Sequence, residues 1–120
     1  MKSLFVVTRV RGRAWDPAKP MNSQEQWREH ATFMDDLATS RFVVLGGPLG
    51  DDGTILLVVD AASENEIRAT LGRDPWTRLP ILELQSIQPW TVLLQAGPSI
   101  RVMPPPERLQ AKYESRPSAP

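Results

Sequence analysis

Short apolar, β-branched runs alternate along this chain with two stretches of helical period, and that order limits the folds open to it. Leu4 to Arg9, rich in Val and Phe, reads as a buried strand. A loop follows from Gly12 to Asn22, punctuated by Pro17 and Pro20. Ser23 stands three residues before Gln26, the spacing of a capping box. Trp27, Ala31, Met34 and Ala38 then recur at helical period, with Phe33 and Leu37 widening the stripe, which predicts an amphipathic helix from Glu25 to about Ser40. Phe42-Val43-Val44-Leu45 runs into Gly46-Gly47-Pro48-Leu49-Gly50, and Asp51-Asp52-Gly53 signals a turn into the apolar run Thr54 to Val59. Ser63 and Glu66 repeat the capping-box spacing ahead of Ile67, Ala69 and Leu71, with Gly72 as a stop. Ile81 to Ile87 alternates at period two, Pro89 marks a bend or an edge, and Trp90 to Leu94 is expected to continue the strand.

The predicted order is βαββαβ, an α+β domain of ferredoxin-like type with a four-stranded antiparallel sheet. At 120 residues there is room for one hydrophobic core. Two helices cover one face of such a sheet and leave the other open, so pairing of two copies through the open faces is expected. The domain is expected over residues 1–96. Half of the twelve prolines lie from Pro98 onward, Pro104-Pro105-Pro106 among them, so residues 97–120 read as an extended tail.

Composition removes whole classes of function. Lys+Arg and Asp+Glu both number 14, the net charge is zero, and no aromatic-basic motif appears, which argues against nucleic acid. With no cysteine there is no disulfide, thiolate nucleophile or Cys-ligated metal, and one histidine does not build a usual zinc or iron site. Gly46-Gly47-Pro48-Leu49-Gly50 lacks the Lys-Ser/Thr ending of a phosphate loop and leads into a hairpin, so it reads as a bulged strand end. No Rossmann glycine pattern argues for a nucleotide cofactor, and none is expected. The apolar run at Leu4-Phe5-Val6-Val7 is too short to span a membrane, and Arg9, Arg11 and Arg13 follow it. A soluble, cytoplasmic protein is expected.

The chemistry-bearing candidates are few. His30 is the only histidine; on a helix it serves either as a core-edge residue or as a proton-transfer group near neutral pH. Asp74 before Pro75 has the signature of a helix N-cap, and a capping carboxylate can also orient an imidazole. In a βαββαβ fold the two helices lie antiparallel on one face. That places the N-terminal half of the first, with His30, beside the end of the second, which Asp74 follows. Trp27 and Trp90 are expected in the core, and Trp15 and Trp76, in loops, as stacking surfaces for a ligand ring. Arg9, Arg11, Arg13 and Arg78 either hold an anion or keep the surface soluble.

The stretches Trp27 to Met34, Val43 to Leu49, Asp74-Pro75-Trp76-Thr77 and Ile87 to Val92 resemble YCII-related proteins, in order and spacing, over about residues 3 to 94. The resemblance implies a ferredoxin-like fold that dimerises as an α+β barrel. It also implies a pocket lined by a His–Asp pair, matched here by His30 and Asp74, with Trp76 in the place of an aromatic after the Asp-Pro. Phe33, Gly47, Pro48, Trp15 and Arg78 complete the expected pocket. A cofactor-free lyase or isomerase that moves a proton on a small molecule is the first functional expectation. A non-catalytic ligand-binding or regulatory dimer is the second, and an interaction module docking through the proline-rich arm the third.

Overall fold

The computed structural model describes residues 2–96; the expected tail, 97–120, lies outside the described residues. Along the chain come β1 (Ser3–Arg11), a 3-10 turn at Met21–Ser23, α1 (Trp27–Thr39), β2 (Val43–Leu49), β3 (Thr54–Ala61), α2 (Glu64–Leu71), the single-turn α3 (Pro75–Arg78) and β4 (Leu82–Pro89). The strands form one sheet in the order β2-β3-β1-β4, with every neighbouring pair antiparallel. The architecture is therefore α+β, and the strand order is compatible with a ferredoxin-like fold.

Period two sorts the sheet into two faces. Phe5 and Val7 of β1, with Leu57, Val59 and Ala61 of β3, meet Ile67 and Leu71 of α2, and Met34 and Leu37 of α1 pack against them. Each large side chain removed from water there contributes roughly 1.5–3 kcal/mol. On the opposite face Val6 pairs with Val58, Val58 with Leu45, and Thr8 with Leu56. A second apolar cluster of Trp27, Trp76, Ile81 and Leu82 sits under the loop that follows β1.

Three local expectations are corrected. The Ser23–Gln26 capping box does not form. Gln26 itself precedes α1 in the left-handed region at φ 57°, and no side chain caps the helix. The competing bonds come from buried Gln24, whose side chain accepts from Asp16 N (3.0 Å) and donates to Asp16 O (2.8 Å) and Lys19 O (2.9 Å). It ties down the loop instead of opening the helix. β4 ends at Pro89 and does not run on through Leu94, since proline has no N–H to donate to the ladder. Trp90 keeps one bond, N to Leu4 O at 2.9 Å, yet its side chain is 47% exposed and not in the core. The second N-cap does form: Ser63 Oγ accepts from Glu66 N at 3.1 Å, while the Glu66 carboxylate reaches one residue beyond the cap and accepts from Ala62 N at 2.7 Å.

Candidate functional site

The site begins with a violation of the β1 pattern. Phe5, Val7 and Arg9 share one parity, and all three are buried on the helix-facing side, with Arg9 only 1% exposed. A guanidinium removed from water needs a counter-charge and acceptors. Arg9 Nη1 donates to Asp74 Oδ2 at 2.9 Å and Nη2 to Thr77 Oγ1 at 2.9 Å, and that hydroxyl donates on to Leu71 O at 2.7 Å.

Asp74 is the hub. Its extended backbone and the following Pro75 start α3, and its Oδ1 accepts from Trp76 N at 2.9 Å, so the expected N-cap is present. Both carboxylate oxygens also lie 2.9 Å from His30 Nδ1. α1 and the segment after α2 therefore bring together the two residues that antiparallel helix packing placed side by side. Burial raises the Asp74 carboxyl. The hydrogen bond from His30, the charges of His30 and Arg9, and the Trp76 N–H outweigh that and hold it below its ordinary value.

The imidazole is fixed in plane as well as in direction. Trp76, fully buried, stacks on it with ring centroids 3.9 Å apart and planes 5° from parallel. Trp76 is itself tethered by Nε1 donating to Glu25 O at 2.6 Å. Trp27 lies tilted against both rings, and Trp15 meets Trp76 edge-on with centroids 6.3 Å apart. An ionised carboxylate only accepts, so Nδ1 carries the proton bonded to Asp74, and Nε2 is the ring nitrogen left for a ligand. Arg9 and Asp74 cancel in charge, so the net charge of the trio is that of the imidazole.

His30 and Arg9 border a cleft of ≈ 370 Å³ whose remaining wall includes Met21, Met34, Leu57 and Gly47. Gly46 is needed by packing: a Cβ there would come within 2.8 Å of Leu57 Cδ2. Gly47 faces open space, with no atom within 4 Å of a Cβ. The β2–β3 register shifts between Val43 and Leu45, at the start of the strand, whereas Gly46 to Leu49 pair in regular register with Leu57 to Thr54; the bulge expected in the glycine run stands ahead of it.

Of the other anticipated pocket residues, Pro48 and Trp15 line a neighbouring cleft. Trp76 backs the imidazole and is closed to a ligand ring. Phe33 borders a separate shallow depression with Thr32 and Pro75, and Arg78, exposed at the end of α3, lines neither cleft. Arg9, expected with Arg11, Arg13 and Arg78 to hold an anion or keep the surface soluble, is instead buried against Asp74, and Thr77 had no expected role beyond its place in the Asp74-Pro75-Trp76-Thr77 stretch. The available signal for Arg9 was its parity with Phe5 and Val7 together with its place closest to them. Among the described residues no helix is long and apolar enough to cross a membrane. Neither a family model nor a curated protein matches the chain.

Proposed function

We propose that the chain is a cofactor-free enzyme of lyase or isomerase type, cytoplasmic, that moves a proton on a small molecule with His30 as base and Asp74 as its orienter. The observation that carries this is the Nδ1 of His30 lying 2.9 Å from both Asp74 oxygens, on the wall of a cleft. A carboxylate behind an imidazole fixes the tautomer and stabilises the imidazolium that forms. In the reaction, a C–H beside a carbonyl breaks, its proton goes to Nε2 and its electron pair passes into an enolate. An isomerase returns the proton to a different carbon; a lyase lets the enolate expel a leaving group with its electron pair. The test is proton–deuterium exchange of cyclic enols and lactones in heavy water. His30→Ala and Asp74→Asn abolish enzyme-dependent exchange; activity unchanged in both variants would refute the assignment.

The strand order also supports the ferredoxin-like fold of YCII-related proteins, with two copies pairing through the open sheet face. A second reading is a ligand-binding or regulatory dimer without chemistry. It is favoured by the structural duties of Asp74, whose oxygens cap α3 and neutralise Arg9 apart from any reaction. Under it, His30→Gln leaves ligand affinity intact and no turnover exists to lose.

A further inference from the structure

We propose that the molecule bound at this site carries a carboxylate, held by Arg11 in an outer subsite that shares an apolar wall with the cleft of the imidazole; this rests on the proton-transfer reading above. A second cleft of ≈ 280 Å³ is bordered by Arg11, Trp15 and Lys19, a size suited to a one-ring ligand. Met21, Trp27, Ile55 and Leu82 line both this cleft and the one holding His30. The two therefore share an apolar wall. Arg11 follows Arg9 by two residues on β1 and lies on the same face, so their backbone positions are about 7 Å apart. The buried Arg9 belongs to the Asp74 network, whereas Arg11 is exposed.

Arg11 is held in place before any ligand arrives. Its guanidinium carbon sits 4.5 Å from the Trp15 ring centroid. Gly53 makes room for it: a Cβ there would lie 2.6 Å from Arg11 Nε and 2.9 Å from Cδ and Cζ, and φ at Gly53 is +89°. Trp15 in turn abuts Trp76, which stacks on His30, so a line of ring contacts joins the outer cation to the imidazole. Among the described residues no ion pair within 4.0 Å engages Arg11, although the exposed Asp52 carboxylate lies near enough to feel its charge. Lys19 adds a second positive charge, and Asp51 is the acid on the same lining. A planar guanidinium with free N–H groups beside an apolar wall suits a carboxylate on a ring.

The test compares benzoate with benzamide, equal in shape and different in charge, followed by the Trp15 indole resonance of the full chain. Benzoate is expected to shift that resonance and to bind about tenfold or more tightly than benzamide. Arg11→Gln removes the preference, and Arg11→Lys restores part of it without the planar stack. Gly53→Ala weakens it while leaving every charge in place. His30→Gln keeps it, because anchoring does not use the imidazole. Equal binding of the two probes, no binding of either, or a preference unchanged in Arg11→Gln overturns the subsite. Deuterium exchange that depends on His30 stands or falls separately, so loss of one result leaves the other readable.

Discussion

His30 and Trp76 lie face to face, 3.9 Å between centroids and 5° from parallel, while Asp74 holds the edge of the imidazole from the side. One segment, Asp74-Pro75-Trp76-Thr77, thus supplies the carboxylate, the stacking face and the hydroxyl that seats Arg9. Truncating that face removes packing and orientation together. Trp76→Ala is expected to cost about 3–5 kcal/mol and to release the imidazole from its plane. Trp76→Phe keeps a ring and costs less, chiefly through the Glu25 carbonyl left without its donor. Urea denaturation of the two variants checks the order; equal losses would mean that the stack contributes nothing beyond volume.

Arg9 and Asp74 are buried together, with side chains 2% and 0% exposed. Removing one partner strands the other charge, so Arg9→Met and Asp74→Asn are each expected to cost about 3–5 kcal/mol. In Arg9→Met/Asp74→Asn neither charge is stranded. The double variant should therefore lose less than the sum of the two, by about 0.5–3 kcal/mol. Strict additivity in denaturant titrations would show that the two groups do not sense each other.

The pH dependence follows from the same pair. Burial raises the Asp74 carboxyl, but hydrogen bonding to His30 and the charges of His30 and Arg9 bring its folded value below 3.8. The unfolded chain then binds the proton more readily than the folded one. Stability from Asp74 is fully present above the unfolded value near 3.8 and is lost as the pH falls from there through the folded value. Asp74→Asn lacks this loss. Asp52, exposed and lowered mainly by hydrogen bonds from Thr54, titrates in both proteins and cancels in the comparison. Parallel acid profiles for the two proteins would contradict the assignment to Asp74.

What was legible beforehand follows the strength of the local signal. The apolar runs of β1 and β3, the alternation of β4, the Ser63 cap and the Asp-Asp-Gly turn each have a local physical cause, and all are present. The pairing of His30 with Asp74 rested on two supports, the resemblance to YCII-related proteins and the antiparallel order of the helices, which leaves few alternatives for those two places. Ser23 misled because a capping box is a two-residue pattern, and Gln24, with three strong bonds to the preceding loop, decides the geometry there. Trp90 misled because an aromatic residue past an edge-strand proline has no neighbouring strand to bury it. Arg9 was read with Arg11, Arg13 and Arg78 as an anion holder or a solubilising arginine. Its parity with Phe5 and Val7 is shared by Arg11 and Arg13, and what sets it apart is its place closest to the apolar run, within the buried part of β1.

The two adjacent glycines of β2 are expected to respond oppositely to alanine. At Gly46 a methyl would press to 2.8 Å from Leu57 Cδ2, a core side chain, and overpacking of that kind costs about 1–3 kcal/mol. At Gly47 the methyl meets nothing within 4 Å, so the change is expected to be neutral or to stabilise by up to about 1 kcal/mol through the unfolded chain. Gly47 pairs with Leu56, so its Cβ would project from the open face of the sheet, away from the core that Gly46 meets. Thermal melts of the two alanine variants check the contrast; equal losses would mean that the Leu57 contact does not decide it.

The open face of the sheet makes the last prediction. Val6, Leu56 and Val58 occupy its middle strands, β1 and β3, and Leu45 and Leu49 lie beside them on the edge strand β2, 38% and 51% exposed in the single chain. Towards β4 the same face turns polar, with Ser86 opposite Thr8 and Gln88 opposite Val6. An apolar centre with a polar margin is the composition of an interface that excludes water at its middle. A second copy meets that pattern with itself about a two-fold axis. Sedimentation equilibrium is expected to give twice the chain mass. Leu56→Lys places two like charges near the axis and should return the protein to monomer with the His30–Asp74 contact intact, since that pair lies on the other side of the sheet. A monomeric wild-type protein, or a dimer indifferent to Leu56→Lys, would place the partner surface elsewhere.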